Sequence, residues 1–468
     1  MTDAARLLVL GAGPGGYAAA FRAADRGMDV TLVDRAPNPG GVCLYRGCIP
    51  SKALLHVSRV IEESRQAERW GVTFDPPRVD LDRLRRWKDG VVRQLTDGLG
   101  QLSARRAIRY VQGEGRLSGP RSIAVTLTDG GEETVEFDYA ILATGSRPSS
   151  IPALSIESAR VMDSTAALEL RDVPDRLLVI GGGYIGLELG TVYDALGAEV
   201  TVVEMTSGLL PGADRDLVGL LSRRLETRFA DIRLDTRVSG LAEDGAAVRV
   251  SFEGHDDELF DWVLVAVGRR PNSDLPGLEH TAVALDARGF VVVDAQRRTS
   301  EPSIFAIGDL VGEPMLAHKA SHEGLVAVEA IAGARAVFEP AAIPAVIFTD
   351  PEIAWCGLTE TEAKLQGRPV EVARFPWAAS GRAVTIDRTD GVTKLVIDPA
   401  SERILGVGIA GAGAGELIAE GVLAVEMGAV ARDLALGIHP HPTLSETLME
   451  AADVFFGEST HLHRRRRS

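Results

Sequence analysis

The sequence contains few cysteines and no long apolar run, and each absence excludes a class of protein. Three of its 468 residues are cysteine, whereas a secreted disulfide scaffold has many more in a much shorter chain. No segment reaches the roughly 18 unbroken apolar residues of a membrane helix. Lys and Arg number 50 against 66 Asp and Glu, and the resulting net charge of −16 disfavours nucleic acid as a partner. We therefore expect a cytoplasmic protein from a reducing compartment.

The length and the apolar share indicate several globular domains. At 468 residues the chain is too long for a single core, and its length suggests about three or four domains. An apolar share of 45% with 25% charged residues is ordinary for a globular protein.

The chain contains an internal repeat in which every element is displaced by 170 residues. Each copy has a short apolar strand, a Gly-x-Gly-x-x-Gly turn, a helix and a second strand that ends near an acidic residue, 23 positions after the first glycine. The key residues are Gly11, Gly13, Gly16 and Asp34 in the first copy, and Gly181, Gly183, Gly186 and Glu204 in the second.

Each copy has the pattern of a βαβ unit that binds a dinucleotide. The first glycine allows the tight turn, the second lets the backbone approach a pyrophosphate, and the third lets the helix pack on the strand. The amides at the helix N-terminus point at phosphate, and the acid accepts hydrogen bonds from a ribose. One such fingerprint is a weak signal, but two copies, each with its acid, predict two nucleotide sites.

Further strand ends place the domain boundaries. Glycine and proline follow apolar strands in Ala143-Thr144-Gly145-Ser146-Arg147-Pro148 and in Val265-Ala266-Val267-Gly268-Arg269-Arg270-Pro271, which marks both as crossing points between domains. A third strand, residues 303–307, ends in Gly308-Asp309. We predict an α/β fold with two Rossmann-like domains, 1–148 and 149–270, a central segment, 271–342, and a C-terminal α+β domain, 343–468. The basic end, residues 461–467, is expected to be a frayed tail.

Two cysteines five residues apart carry the chemistry. The segment reads Gly40-Gly41-Val42-Cys43-Leu44-Tyr45-Arg46-Gly47-Cys48-Ile49-Pro50-Ser51-Lys52. Pro50 suits the first turn of a helix, so the helix N-terminus lies at Cys48 and favours its thiolate. Cys43 is expected on the preceding loop, as the more exposed sulfur. A zinc site prefers a second cysteine pair, which the chain lacks, and a structural disulfide remains an alternative. A dithiol beside a nucleotide site favours a flavin disulfide oxidoreductase, whereas Cys356 is expected to be a packed, inert thiol.

Two further pairs of residues are candidates for the same site. Lys52 and Glu188 both lie early in helices that follow a nucleotide turn, so they can pair where the two nucleotides meet, although a solvated lysine is the commoner case. In His439-Pro440-His441-Pro442-Thr443-Leu444-Ser445-Glu446, the prolines hold His441, and a His–carboxylate pair with Glu446 makes a general base. Two neighbouring histidines can also bind metal, but nothing nearby completes such a site, and we predict no metal.

Taken together, these residues resemble the dihydrolipoamide dehydrogenases, the flavoproteins of 2-oxo acid dehydrogenase complexes, over nearly the whole chain. The resemblance rests on both fingerprints, the Gly-Gly-x-Cys-x4-Cys-Ile-Pro-Ser-Lys helix, Gly308-Asp309, Leu316-Ala317-His318-Lys319, the segment Phe375-Pro376-Trp377-Ala378-Ala379-Ser380-Gly381-Arg382-Ala383, and His441-Pro442-Thr443-x-x-Glu446. One departure is Tyr45-Arg46 between the cysteines, where members commonly have Asn-Val. Arg46 either raises the local positive potential, which lowers a thiolate pKa, or points to solvent.

The resemblance implies cofactors, partners and residue roles. It assigns the first site to FAD, with Gly11, Gly13, Gly16, Asp34, Gly41, Lys52, Thr144, Gly145, Asp309 and Ala317, and the second to the nicotinamide dinucleotide, with Gly181, Gly183, Gly186, Glu204 and Gly268. The C-terminal domain becomes the interface of a homodimer, in which His441 and Glu446 of one subunit serve Cys43 and Cys48 of the other. The first strand is expected to begin near Arg6, so the lipoyl group is expected to arrive on another chain, from the acyltransferase core of a complex.

The predicted reaction is the oxidation of dihydrolipoamide with reduction of NAD⁺ through a Cys43–Cys48 disulfide. The carboxylate of Glu204 accepts from a ribose 2′-hydroxyl and repels a 2′-phosphate, so NAD is favoured over NADP. Glutathione reductase-like enzymes prefer NADP, and mercuric and large thioredoxin reductases need a further cysteine pair near the C-terminus. The remaining alternatives are a reductase of another small disulfide and a non-catalytic assembly subunit.

Overall fold

The computed structural model describes residues 4–463, and helices and strands alternate along most of that range. The first part contains β1 (Arg6–Leu10), α1 (Pro14–Asp25), β2 (Asp29–Asp34), α2 (Gly41–Arg46), α3 (Cys48–Gln66), α4 (Leu81–Arg105), β3 (Arg109–Gly119), β4 (Ser122–Leu127), β5 (Glu132–Glu136), β6 (Tyr139–Leu142) and β7 (Ser146–Pro148). The middle part contains β8 (Val161–Met162), α5 (Ser164–Glu169), β9 (Arg176–Ile180), α6 (Tyr184–Leu196), β10 (Glu199–Val203), α7 (Arg215–Glu226), β11 (Asp231–Arg233), β12 (Val238–Asp244), β13 (Ala247–Phe252), β14 (Glu258–Phe260), β15 (Trp262–Val265) and β16 (Arg269–Pro271).

The last part begins with the strand that follows the second repeat copy. It contains β17 (Ile304–Ala306), α8 (Ala317–Ile331), β18 (Ala345–Ile347), β19 (Glu352–Gly357), α9 (Glu360–Leu365), β20 (Glu371–Pro376), α10 (Gly381–Thr385), β21 (Val392–Ile397), β22 (Ile404–Gly411), α11 (Ala414–Met427), α12 (Ala431–Leu436) and α13 (Glu446–Phe456). Short 3-10 helices span Ala67–Trp70, Pro152–Leu154, Leu278–His280, Gly308–Leu310 and Trp377–Ala379.

The first repeat copy lies in a seven-stranded sheet of order β17-β6-β1-β2-β3-β4-β5. The strands from β17 to β3 run parallel, and β4 and β5 add an antiparallel edge. Helices cover parallel strands on both faces, which is why β1 reads as a continuous apolar run. β17 pairs with β6, with Ile304 opposite Ala140, so the segment after the second copy returns to the first sheet.

The second copy forms its own parallel sheet, of order β11-β10-β9-β15-β8. The two copies are linked by an antiparallel pair, β7 with β16, in which Arg269 lies opposite Pro148. Both segments predicted as crossing points therefore meet in one two-stranded ribbon.

The C-terminal part is an antiparallel sheet of order β18-β19-β22-β21-β20, against which α11 and α13 pack. The predicted α/β fold class with a C-terminal α+β domain is confirmed. The domain boundaries at residues 148, 270 and 342 stay a prediction.

One hydrophobic core joins the three parts around α3. Leu54 and Leu55 of α3 pack in the same buried cluster as Leu187 of α6 and as Ile347 and Ile353 of the C-terminal sheet. Burying a leucine or isoleucine side chain contributes roughly 1.5–3 kcal/mol. The helix that begins at Cys48 is therefore held by contacts from every part of the chain.

The C-terminal end differs from the expected frayed tail. Glu450 of α13 accepts hydrogen bonds from Ser459 Oγ, at 2.7 Å, and from the ring of His461, which anchors the chain to that point. Residues 464–467, the basic run itself, lie outside the described residues. No helix in residues 4–463 has the length and apolar character needed to cross a membrane.

Candidate active site

The first Gly-x-Gly-x-x-Gly turn lines a cavity with backbone atoms that no side chain covers. Gly11 has φ +99°, and a Cβ there would lie 2.3 Å from the carbonyl oxygen of Ala143. A Cβ on Gly16 would lie 1.8 Å from the Gly11 oxygen, and one on Gly41 2.4 Å from the Cα of Gly13. No side chain caps the N-terminus of α1, so its first amides are free to bind an anion.

Backbone hydrogen bonds, one of them from the first glycine turn, hold the Asp34 carboxylate in place. Its Oδ2 accepts from the amide of Ala12 at 2.7 Å, and its Oδ1 accepts from the amide of Ala36 at 2.9 Å. These two bonds fix the carboxylate at the end of β2, where it lines the cavity. A ribose hydroxyl can then donate to a preorganised acceptor.

The cavity has a volume of about 840 Å³ and runs from Asp34 to the dithiol. This is within the range of roughly 300–1,000 Å³ that is usual for cofactor pockets. Its lining includes nine of the ten residues predicted for FAD, namely Gly11, Gly13, Asp34, Gly41, Lys52, Thr144, Gly145, Asp309 and Ala317. Gly16 contributes through helix packing instead. The residues present therefore fit a long dinucleotide with its phosphates at the glycine turn.

The dithiol lies at the far end of this cavity, and both cysteines are free thiols that line it. Cys48 is the first residue of α3, as predicted. The prediction for Cys43 is wrong in two respects: it lies within α2 rather than on a loop, and it is less exposed than Cys48. The reason is that residues 41–46 form a helix of their own, α2, which packs against both α3 and α4.

The two sulfurs differ in acidity. A hydrogen bond from the Cys43 thiol, followed by the charge of Lys52, outweighs burial and lowers the pKa of Cys48 to about 7. The same hydrogen bond, together with burial, raises the pKa of Cys43. Cys48 is therefore the thiolate of the reduced pair, and Cys43 carries the proton. Arg46 is exposed and makes no ion pair or side-chain hydrogen bond among residues 4–463, but it lines the cavity that contains both thiols.

Lys52 and Glu188 meet beside Cys48. Lys52 Nζ lies 2.8 Å from Glu188 Oε2, and Glu188 is only 3% exposed. The other carboxylate oxygen accepts from the amide of Phe348 at 3.0 Å. Because Lys52 follows the dithiol and Glu188 follows the second nucleotide turn, this ion pair bridges the two predicted nucleotide sites.

His441 and Glu446 form the predicted pair at the start of α13. His441 Nδ1 lies 2.9 Å from Glu446 Oε1, and the amide of Thr443 donates to Oε2 at 2.7 Å. Burial opposes these bonds, but together they lower the pKa of Glu446. The His441 side chain is 72% exposed, and neither residue lines the cavity of its own chain. The pair therefore faces outward from a single subunit.

The second turn repeats the first in its local geometry. Gly181 has φ +112°, and a Cβ there would lie 2.4 Å from the Ala266 oxygen. Glu204 is buried and accepts from the Gly182 amide at 2.8 Å and from the Thr206 amide and hydroxyl at 2.8 Å. A Cβ on Gly186 would lie 2.2 Å from the Gly181 oxygen, Gly183 has open space around it, and a Cβ on Gly268 would lie 3.9 Å from Ser149 Oγ.

The second turn reaches the main cavity through its helix. Tyr184, Ile185, Glu188 and Leu189 of α6 line that cavity, whereas the fingerprint glycines and Glu204 do not. Arg215, the first arginine after Glu204, donates to the carbonyl oxygens of Leu209 and Leu210. Its guanidinium thus binds backbone carbonyl oxygens, and the role of Glu204 in selecting NAD stays a prediction.

Two residues of the cavity were missed in the sequence. Ser146 Oγ donates to Asp309 Oδ2 at 2.5 Å, and Arg269 donates to Ser146 Oγ at 2.8 Å and to its carbonyl oxygen at 2.7 Å. Ser146 and Arg269 therefore orient the Asp309 carboxylate in the cavity. They belong to the two crossing segments, but their contact arises only because β7 pairs with β16.

Comparison with known families and proteins gives concordant results. Residues 5–324 match the family described as "Pyridine nucleotide-disulphide oxidoreductase", and residues 343–452 match its "dimerisation domain". The chain is 50% identical over 462 residues to a dihydrolipoyl dehydrogenase of Vibrio parahaemolyticus, covering 98% of this chain and 97% of the relative. It is 46% identical over 464 residues to a dihydrolipoyl dehydrogenase of Haloferax volcanii, covering 97% of each.

Solved structures share the whole fold. LpdA from Mycobacterium tuberculosis superimposes with a TM-score of 0.90 at 26% identity, over 96% of this chain and 99% of that one. The HOCl-induced flavoprotein disulfide reductase RclA from Escherichia coli, in a Cu(II) complex, does so with a TM-score of 0.86 at 26% identity, over the same shares.

Proposed function

Since the chain belongs to the pyridine nucleotide-disulphide oxidoreductase family, we propose how its own residues perform the reaction of a dihydrolipoyl dehydrogenase. The enzyme uses FAD and NAD and oxidises dihydrolipoamide to lipoamide while NAD⁺ is reduced to NADH. One observation supports this assignment of roles above the others: a single cavity contains the first glycine turn, both thiols and the start of α6 from the second turn.

The cavity residues bind and orient the cofactor. The glycine turn and the free amides of α1 would hold the pyrophosphate of FAD, Asp34 would accept from its ribose, and Asp309, oriented by Ser146, would hold the ribityl chain. When bound, FAD would supply a two-electron carrier between the dithiol and the nicotinamide. Lys52 places a cation, neutralised in part by Glu188, beside Cys48.

The thiol chemistry follows from the two acidities. Starting from the Cys43–Cys48 disulfide, His441 takes a proton from a substrate thiol, and the resulting thiolate attacks Cys43. The S–S bond breaks, the Cys43–substrate mixed disulfide forms, and Cys48 leaves as a thiolate that the positive charge of Lys52 stabilises. The second substrate thiol then attacks its partner sulfur, which closes lipoamide and releases Cys43 as a thiol. The electron pair left on Cys48 is the one that bound FAD would carry to the nicotinamide.

We place the active site between two subunits of a homodimer. His441 faces outward and does not line its own cavity, although Glu446 has oriented it as a base. The match to the dimerisation domain supports a second copy as the subunit that receives it. The proposal extends to a cytoplasmic protein that receives lipoyl groups carried by the acyltransferase core of a 2-oxo acid dehydrogenase complex.

The test separates the base from the rest of the machinery. Replacing His441 by Gln should lower lipoamide-dependent NADH formation by about 10²–10⁴-fold, the usual contribution of a general base. NADH oxidation by an artificial dye, which needs no thiol base, should stay near the wild-type rate. His280→Gln is the matched control, because His280 also lies near a glutamate, Glu279, at 3.8 Å, in a 3-10 helix remote from the dithiol.

Other outcomes would replace the proposal. Equal losses in both assays would remove the base role from His441. Faster turnover with another small disulfide than with lipoamide would favour the alternative reductase. A colourless protein without NADH formation would favour a non-catalytic assembly subunit.

A further inference from the structure

We propose that Phe348, in the C-terminal domain, is a positioning residue that fixes Lys52 and Glu188 beside Cys48. The inference rests on the proposed function, because it concerns the thiolate that this function uses. It assigns to the dimerisation domain a part in the active site of its own subunit, in addition to the base it presents to the other.

Phe348 contacts both members of the ion pair with different groups. Its amide donates to Glu188 Oε1 at 3.0 Å, and its ring centroid lies 4.5 Å from Lys52 Nζ. An aromatic face attracts a cation at this distance. Lys52 is therefore held from two sides, by the Glu188 carboxylate at 2.8 Å and by the Phe348 ring.

The residues after Phe348 fasten the same helix farther along. Glu352, which is 5% exposed, binds Arg59 of α3 at 2.5 Å and also accepts from the amide of Gly415 at 3.0 Å. Asp350 binds Arg224 at 3.7 Å, and Arg224 donates to Glu62 of α3 at 2.9 Å.

Residues 348–352 thus contact α3, directly or through Arg224, between Lys52 in its second turn and Glu62 about three turns farther on. Lys52 and Glu62 are ten positions apart, or about 15 Å of helix at 1.5 Å per residue. The apolar sides of the same two segments also share one core, in which Leu54 and Leu55 pack with Ile347 and Ile353. The segment therefore acts as a clamp that sets the position of the helix bearing Cys48, and Phe348 is its end nearest the sulfur.

The acidity of Cys48 is the property that reports this position. The ionisable groups that act on it or sense its charge are Cys43 of α2, Lys52 of α3, Glu188 of α6, Tyr17 of α1 and Tyr184 of α6. Lys52 lowers the pKa of Cys48 and Glu188 raises it. If the ring is removed, only Glu188 still holds Lys52, so the ammonium is less firmly placed, its effect on the sulfur falls, and the thiolate becomes less stable.

The experiment uses the FAD-loaded dimer reduced by two electrons with NADH under anaerobic conditions. The long-wavelength charge-transfer absorbance requires the Cys48 thiolate. The pH at which this absorbance reaches half its maximum therefore measures the ionisation of Cys48. Phe348→Leu should raise this midpoint by roughly half a unit to one unit, since a cation–aromatic contact is worth about that much. Phe348→Met, which keeps the volume without the ring, should do the same, and Phe348→Tyr should restore the wild-type midpoint.

Phe338→Leu is the matched control, because Phe338 lies under a cation, Arg297, at 4.9 Å, in a segment that carries no thiol and does not line the cavity. Its midpoint should equal that of the wild type. The proposal is overturned if Phe348→Leu and Phe348→Met retain FAD and keep the wild-type midpoint, or if Phe348→Tyr shifts as far as they do. Absence of the charge-transfer band in the wild type would instead contradict the proposed function.

Discussion

The two copies of the nucleotide-binding repeat have the same turn but different surroundings. In each copy the first glycine has positive φ, and a Cβ would lie 2.3 Å (Gly11) or 2.4 Å (Gly181) from a carbonyl oxygen of a neighbouring strand's end. In each, the acid accepts a hydrogen bond from an amide of the turn, at 2.7 Å for Asp34 and 2.8 Å for Glu204. Local sterics and hydrogen bonding therefore determine the backbone conformation of the turn in both copies, independently of the segments that follow it.

The copies differ in what lies between their second and third parallel strands. In the first, α2, α3 and α4 intervene between β2 and β3, whereas only α7 intervenes between β10 and β11. The dithiol and Lys52 belong to this insertion. Both copies therefore share the nucleotide turn, whereas the residues of the redox chemistry lie in helices that only the first copy contains.

The largest effect is expected from removing the added chemistry. Cys48→Ser should abolish the charge-transfer absorbance of the two-electron-reduced enzyme and lower lipoamide-dependent NADH formation by roughly 10³-fold or more, because the disulfide and its leaving-group sulfur are lost. FAD content, measured from the absorbance of the purified protein, should not change. A surviving charge-transfer band would show that Cys48 is not the sulfur next to the cofactor.

The next effect tests whether the two equivalent turns serve different nucleotides. Gly11→Ala and Gly181→Ala introduce the same clash, and each is expected to cost about 1–3 kcal/mol locally. Gly11→Ala should be purified with less FAD, whereas Gly181→Ala should keep its FAD but be reduced by NADH more slowly. Cofactor content and stopped-flow reduction measure the two losses, and an identical pattern in both variants would contradict the division of roles.

A smaller effect is expected at the acids. Glu204→Gln removes the charge that accepts from the NAD ribose, so KM for NAD⁺ should rise by roughly tenfold, in line with a charged hydrogen bond, and discrimination against NADP⁺ should narrow. Asp34→Asn should leave the KM for NAD⁺ near the wild-type value and weaken FAD retention. Steady-state kinetics with both nucleotides decide, and an unchanged NADP⁺ preference in Glu204→Gln would argue against its role.

The smallest effect concerns the difference in thiol pKa between Cys48, in the added helices, and Cys356. Cys48 has a pKa lowered to about 7, so its thiolate and the charge-transfer absorbance should be lost as the pH falls through 7. Burial raises the pKa of Cys356 to about 12, and the residue is 1% exposed. Iodoacetamide at pH 8 should therefore modify the reduced pair and spare Cys356, as peptide mass spectrometry can show; labelling of Cys356 at an equal rate would contradict this.

Motifs whose function is local could be predicted directly from the sequence. The glycine turns, the position of Cys48 at a helix start and the His441–Glu446 pair depend on residues close together in the chain, and the structure has each of these geometries. The relative exposure of Cys43 and Cys48 was predicted wrongly, because it depends on how α2 packs against α3 and on a cavity formed by distant segments.

Contacts between distant segments required the structure. Lys52 and Glu188 are 136 positions apart, and Ser146 and Asp309 are 163 apart. The position of Lys52 and Glu188 after nucleotide turns suggests that these two residues meet. It does not identify the third residue, Phe348, that contacts both of them.

The sequence by itself determined the α/β class, the two nucleotide turns and the redox chemistry, because glycine sterics, strand periodicity and thiol reactivity act over a few residues. Only the tertiary structure decided which sulfur is the more exposed, which side chains orient Asp309 and which segment holds the helix of Cys48 in position. Those outcomes depend on electrostatic and packing contacts across the sheets and domains, and such contacts exist only after the chain has folded.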